Sequence, residues 1–293
     1  MSTVLVTGCS SGIGLETALA LARAGHSVYA TMRKPEQDQI LRETIDKENL
    51  PVSILALDVD SDESVTAAFA AVHSKAGSID GLVNNAGIER KGSIEELPFE
   101  AFRAAMETNY FGSLRCIRAC LPGMRKRRKG CIVNVSSVAG RIAVSPLSSY
   151  VASKFALEAL SESLAQEVKP FNVRVAIVEP GIIDTPMARR LAEPVIASEY
   201  SHVRRFAGMF VAALARPVEP SIVANKILEI IESNSWQLRY AVGPNAQPFL
   251  DWRASMTDEE WADWGALDDN AWYERVSRDF GLDARPKIEK HSA

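Results

Sequence analysis

Short runs of β-branched, apolar residues alternate with longer stretches of helical period along most of this chain. VLVTG (4–8) leads into IGLETALALARAG (13–25), which ends on a glycine suited to a C-cap. SVYATM (27–32) leads into a polar helical stretch from Pro35. VSILALDV (52–59) precedes SDESVTAAFAAVHSKAG (61–77), which opens on an N-cap serine and acidic residues and closes on glycine. IDGLVNNAG (79–87), CIVNVSS (131–137), VRVAIVEPG (173–181) and WQLRYAVG (236–243) bring the strands to seven. Helices are expected over 98–127, from Tyr150 to about Val168, and over 221–233. Strands joined through helices of this length run parallel. Their runs are apolar on both faces, as a sheet covered on both sides requires. The expected fold class is therefore α/β, a doubly wound parallel sheet flanked by helices.

Two regions depart from the alternation. Residues 186–220 are expected as an irregular insertion, with the substrate-facing part at 186–216 as a mobile lid. The tail, 244–293, carries four of the five tryptophans among acidic residues. TDEEW (257–261) begins like a capping box, Thr257 with Glu260, so the tail reads as a helical appendage to a domain spanning 1–243. It serves either as a lid or subunit contact or as packing on the domain edge.

Composition narrows the partners. With 47% apolar and 24% charged residues and a net charge of -4, the chain has a sizeable core and no basic surplus for nucleic acid or anionic membrane. No apolar run reaches the roughly 18 residues of a membrane span. MSTVLVTG lacks the basic and apolar regions of a signal peptide. The four cysteines, Cys9, Cys116, Cys120 and Cys131, show no zinc spacing, and a reduced, cytoplasmic location is expected. The run RKRRK (125–129) falls between a helix end and a strand, where cations complement the helix dipole.

TGCSSGIG (7–14) joins the first strand to the first helix, with Gly8, Gly12 and Gly14 as GxxxGxG. Glycines at such a turn permit positive φ and close approach of backbone amides to a pyrophosphate, and the helix N-terminus adds its positive end. After the second strand stands TMRK (31–34), with no acid to accept ribose hydroxyls. Arg33 and Lys34 would instead attract a 2′-phosphate. The expected cofactor is NADP(H) in preference to NAD(H).

TGCSSGIG, NNAG (84–87), Asn109, SSVAG (136–140), YVASK (150–154) and EPG (179–181) follow one another in an order and spacing that resemble the short-chain dehydrogenase/reductase family in its single-domain form. YVASKFALEALSESLA is also similar to the 17β-hydroxysteroid and retinol dehydrogenase branch. The resemblance spans about 2–243 and implies a Rossmann-type sheet of seven strands. It implies that Tyr150 is the proton donor or acceptor, with Lys154 as its partner, Ser137 on the substrate oxygen and Asn109 in a proton relay. Cofactor contacts are implied from Gly8, Ser10, Ser11, Gly12, Ile13 and Gly14 in the glycine turn, and from Arg33 beyond it. Asp58 and Val59 are implied at the adenine, and Asn84 against the cofactor. Pro180, Gly181, Ile183 and Thr185 follow, with Thr185 at the nicotinamide carboxamide and Tyr150 and Lys154 at its ribose end. A homodimer or homotetramer is implied as well.

The chemistry of these residues is consistent with those roles. A phenol, with its pKa of about 10, shares protons poorly near neutrality unless a neighbouring cation favours phenolate. An ammonium about 4 Å away supplies about 4 kcal/mol at an effective dielectric of 20, before desolvation. Ile142, Val144, Leu147, Ile182, Met187, Phe206, Met209 and Phe210 are expected near the strand C-termini, where an apolar pocket suits a bulky ketone or secondary alcohol. Two other functions fit the same scaffold: an epimerase or dehydratase that retains its cofactor, and a non-catalytic dinucleotide sensor.

Overall fold

A computed structural model describes residues 1–194 and 197–286. Residues 195–196 of the expected insertion and 287–293 of the expected tail lie outside the described residues. The strands are β1 Thr3–Thr7, β2 Ser27–Met32, β3 Val52–Ala56, β4 Gly81–Asn84, β5 Gly130–Val135, β6 Val173–Pro180 and β7 Arg239–Val242. They form one seven-stranded sheet in the order β3-β2-β1-β4-β5-β6-β7. Every adjacent pair is parallel. The helices are α1 Gly12–Arg23, α2 Gln39–Glu48, α3 Asp62–Ala76, α4 Phe99–Met106, α5 Ser113–Arg127 and α6 Ser148–Val168. They continue as α7 Pro186–Ala192, α8 Ser201–Leu214, α9 Ser221–Glu232, α10 Ala246–Ala254, α11 Asp258–Ala266 and α12 Asp269–Phe280. The Rossmann-type sheet expected from the sequence is the one observed.

Successive strand residues face opposite sides, and both sides are dry. On β1, Val4 and Val6 face α1 and α9, joining Leu21, Ala22, Ile227 and Ile230 in one core cluster. Leu5 between them faces the other layer, with Phe69 of α3, Ile117 and Met124 of α5 and Leu164 of α6. The chain reverses its winding at β1, which pairs with β2 on one side and β4 on the other. Such a switch point opens a crevice at the strand C-termini, where α/β sheets hold ligands.

The long helix expected over 98–127 is interrupted. Between α4 and α5 the chain makes a π-helical turn, Glu107–Gly112, which holds Asn109 fully buried. The insertion, expected to be irregular, contains α7 and α8. Helix α8 buries Val203, Phe206, Ala207 and Phe210 at helical spacing, but Gly208 in its middle weakens the local signal. That glycine permits close packing, since a Cβ there would stand 2.2 Å from the Ala284 carbonyl oxygen.

The basic run at the end of α5 lies at the N-terminal edge of β5. Arg127 donates to the Ile79 carbonyl at 2.6 Å, Arg128 to the Pro170 carbonyl at 2.8 Å, and Lys129 stands 3.6 Å from Asp80. All four cysteines are buried as free thiols, and burial pushes each well above the usual thiol value. No helix among the described residues is long and apolar enough to cross a membrane.

Candidate active site

A cavity of about 550 Å³ opens at the C-terminal ends of the strands. One end is built from the glycine turn. Gly8 has φ +74°, and a Cβ there would stand 2.8 Å from the Ala86 Cα. Gly12 has φ +58°, a left-handed backbone that glycine adopts without strain, and a Cβ there would stand 3.2 Å from Thr185 Cγ2. Ser11 begins α1 in extended conformation without a side-chain cap, which leaves the amides of the first turn available to an anion. Ser10, Ser11, Gly12 and Ile13 line the cavity beside Gly8. This cradle suits the pyrophosphate of a dinucleotide.

Gly14 is placed differently from the expectation. It does not line the cavity; a Cβ there would come 2.2 Å from the Gly8 carbonyl oxygen and 2.4 Å from Asn85 Nδ2. Its smallness lets α1 pack onto the turn. Arg33, directly after β2, does line the cavity, exposed and with no salt bridge among the described residues. Lys34 is not among the lining residues. The nearest buried acid, Asp38, is turned inward to cap α2, its Oδ1 accepting from Leu41 N at 3.0 Å. Asp58, Val59, Pro180, Gly181, Ile183 and Thr185 line the same cavity.

Asn84 also departs from expectation. Strand alternation turns its side chain away from the cavity, and Nδ2 donates to Asn134 Oδ1 on β5 at 2.8 Å. Asn134 in turn donates to Ser161 Oγ of α6. The lining residue is the next one, Asn85, whose Nδ2 donates to the carbonyls of Thr7 and Gly8. Thr7 Oγ1 accepts from the amides of Asn85 and Ala86, so the NNAG turn and the glycine turn are held as one unit.

Midway along the cavity stand Ser137, Tyr150 and Lys154. Ser137 follows β5, and its Oγ accepts from Ala139 N at 3.1 Å. Tyr150 lies in the first turn of α6 and Lys154 one turn on, so both point from one helix face. Lys154 Nζ donates to the Val135 carbonyl at 2.8 Å and stands 5.6 Å from the Tyr150 ring centre. Burial pushes the Tyr150 phenol up to about 12, against the opposing effect of Ser137 and with a further push from Glu89. Burial also brings the Lys154 ammonium down to about 8. A phenol lowered by its lysine was the expectation; in the protein alone, burial outweighs the one lowering influence, the Ser137 hydrogen bond, and the phenol is raised instead.

Asn109 does not line the cavity. Its Nδ2 donates to the Ile88 carbonyl and Ser153 Oγ, and its Oδ1 accepts from Ile88 N at 2.8 Å. Ser153 Oγ donates to the Tyr150 carbonyl at 2.7 Å. The π-helical turn thus ties the loop after β4 to the first turn of α6.

The far end of the cavity is mainly apolar, with His202 and Arg205 of α8 also among its lining residues. Ile142, Val144, Leu147, Ile182, Met187, Phe206, Met209 and Phe210 all line it, as expected. The tail adds Phe249, Trp252, Trp261, Trp264, Trp272 and Phe280. Trp261 and Trp264 stack at 5.1 Å, Trp252 meets both edge-on, and Trp261 Nε1 donates to the Ala143 carbonyl. The tryptophan-rich composition signalled an unusual tail, but no local pattern indicated which surface it would cover. Among the described residues no cluster of His, Cys, Asp or Glu is placed to hold a metal.

The family model described as short chain dehydrogenase matches residues 2–195. An oxidoreductase of Botryotinia fuckeliana is 36% identical over 262 residues, covering 87% of this chain and 95% of that protein. Retinol dehydrogenase 8 of Bos taurus is 43% identical over 68% of this chain, and the match spans only 64% of that protein's length. Among solved structures, a short-chain dehydrogenase from Streptomyces avermitilis superposes with a TM-score of 0.76 at 34% identity, covering 95% of this chain and 98% of its own. A metagenomic short-chain oxidoreductase in complex with NADP matches with a TM-score of 0.66 at 26% identity, over 82% of this chain and 95% of its own.

Proposed function

We propose that this chain, which belongs to the short chain dehydrogenase family, is an NADP(H)-dependent oxidoreductase that interconverts a carbonyl and an alcohol on a bulky, apolar small molecule. The observation that carries this reading is one cavity with a glycine-turn cradle at one end, an aromatic chamber at the other, and Ser137, Tyr150 and Lys154 between them.

The nicotinamide cofactor supplies or accepts the hydride. The glycine turn holds its pyrophosphate, Asp58 and Val59 its adenine end, and Ile183 and Thr185 its nicotinamide end. Ser137 donates to the substrate oxygen as charge develops there. Tyr150 delivers a proton to that oxygen during reduction. A phenol held near 12 keeps its proton at neutral pH, so the protein alone is set to donate. Lys154, still mostly cationic at neutral pH, holds the ribose and favours the phenolate left after transfer. Asn109 acts as a positioning residue, fixing the backbone on which Tyr150 sits.

Arg33 supports the cofactor preference, being a guanidinium with no salt bridge among the described residues at the position where an NAD-binding site would carry an acid. The related structure bound to NADP is consistent with it. Side-by-side fluorescence titrations with NADPH and NADH test the preference. Loss of a charged hydrogen-bonded pair in Arg33→Ala is expected to weaken NADPH binding by about tenfold to a hundredfold and to leave NADH unchanged. Tighter binding of NADH by the wild-type protein contradicts it.

A further inference from the structure

The aromatic chamber has a polar pole. Arg205 of α8 lines it and is only 4% exposed. Its Nε donates to Asp269 Oδ1 at 2.7 Å, while Nη1 and Nη2 make no hydrogen bond among the described residues. A guanidinium on the cavity wall with two nitrogens unused is a ready donor set for a ligand. Asp269 does not neutralise the locality, because the same carboxylate also pairs with Arg204. Two guanidiniums therefore share one carboxylate, and Arg205 keeps only one of its nitrogens engaged. Trp264 adds a second donor: its Nε1 is buried without a partner, and its ring lines the same chamber. His202 beside them donates from Nε2 to the Gly265 carbonyl, which ties α8 to α11 and fixes this corner.

Both groups are donors without an acceptor, and one of them carries a positive charge. Resting on the oxidoreductase reading above, we propose that the substrate is an amphipathic acid. It would carry its carbonyl or alcohol carbon to Tyr150 and an apolar body through the aromatic chamber. Its terminal carboxylate would be received by Arg205 Nη1 and Nη2 with Trp264 Nε1. A guanidinium matches a carboxylate with two parallel hydrogen bonds, and such pairs strengthen where water is excluded. The pole sets which substrates enter; the proton transfer at Tyr150 does not require it.

Binding can be read without turnover, because four tryptophans line the chamber. Quenching of their fluorescence by decanoate and by 1-decanol, at matched concentrations below micelle formation, compares two ligands of one length that differ in the end group. Wild-type protein should bind decanoate at least tenfold tighter. Arg205→Met keeps the side-chain length and removes the charge; it should abolish the preference and leave 1-decanol affinity within threefold. Trp264→Phe keeps an aromatic ring, smaller than the indole, and removes the donor; it should reduce the preference by a smaller factor. A wild-type preference near one, or a preference that survives Arg205→Met, overturns the proposal. If Arg205→Met loses both ligands because the tail no longer folds, Trp264→Phe decides: an unchanged preference there overturns the proposal, a reduced one supports it. NADPH oxidation is measured separately, so failure of the oxidoreductase reading shows as absent turnover whatever the ligand preference.

Discussion

Lys154 is the residue at which function and stability are most opposed. Its ammonium is buried, and its pKa falls from 10.5 to about 8. Between those values the unfolded chain keeps a proton that the folded chain has released. Stability therefore rises with pH through this window by way of Lys154, and the cost of the buried charge is fully present below it. Lys154→Met removes that dependence. Between about pH 7.5 and 9.5 the stability difference is expected to move in favour of wild type by about 2 kcal/mol, read from urea midpoints at each pH. A difference that stays flat contradicts a buried, depressed lysine. Gly8, Ser10, Ser11, Gly12, Ile13, Ser137, Tyr150 and Lys154 were legible because an ordered set of motifs marks them, and all eight line the cavity. Asn84 and Gly14 were not placed correctly. Both lie in the right motif, but strand alternation turns Asn84 away and helix packing takes up Gly14, and motif spacing encodes neither.

Among the elements, the strands and the helices of the doubly wound layers could be read from periodicity alone, because each presents a continuous apolar face to the sheet. The π-helical turn at Glu107–Gly112 could not, since a change of helical register leaves the residue pattern almost unaltered. The capping box at Thr257 and Glu260 was legible and is present, with both reciprocal hydrogen bonds. Where α11 would dock was not, because that depends on contacts distant in sequence, such as Trp261 Nε1 to the Ala143 carbonyl. Trp261 joins the tail to the loop after β5 and forms a wall of the chamber. Removing a large aromatic surface in Trp261→Ala is expected to raise KM for a bulky apolar ketone about tenfold or more, with NADPH affinity unchanged. Steady-state kinetics with a bulky and a small ketone check this, and an equal effect on both would contradict the placement of α11 at the substrate end.

For the molecule as a whole, the sheet sets the site by its switch point, and the tail completes it from the other side. The division into a domain at 1–243 and an appendage beyond it follows chain order; the chamber draws on both. Phe111, at the π-helical turn, and Phe155 of α6 are exposed by 42% and 41%, an apolar surface suited to a second copy of the chain. A dimer or tetramer is expected in sedimentation at micromolar concentration, and a monomer there contradicts it. Proton delivery by Tyr150 in step with hydride transfer is tested most directly by single-turnover loss of NADPH absorbance with a bulky apolar ketone. Wild type is expected to consume NADPH, and Tyr150→Phe to bind it equally but react about 10²–10⁴-fold more slowly. Equal rates in the two proteins would contradict the assignment of Tyr150.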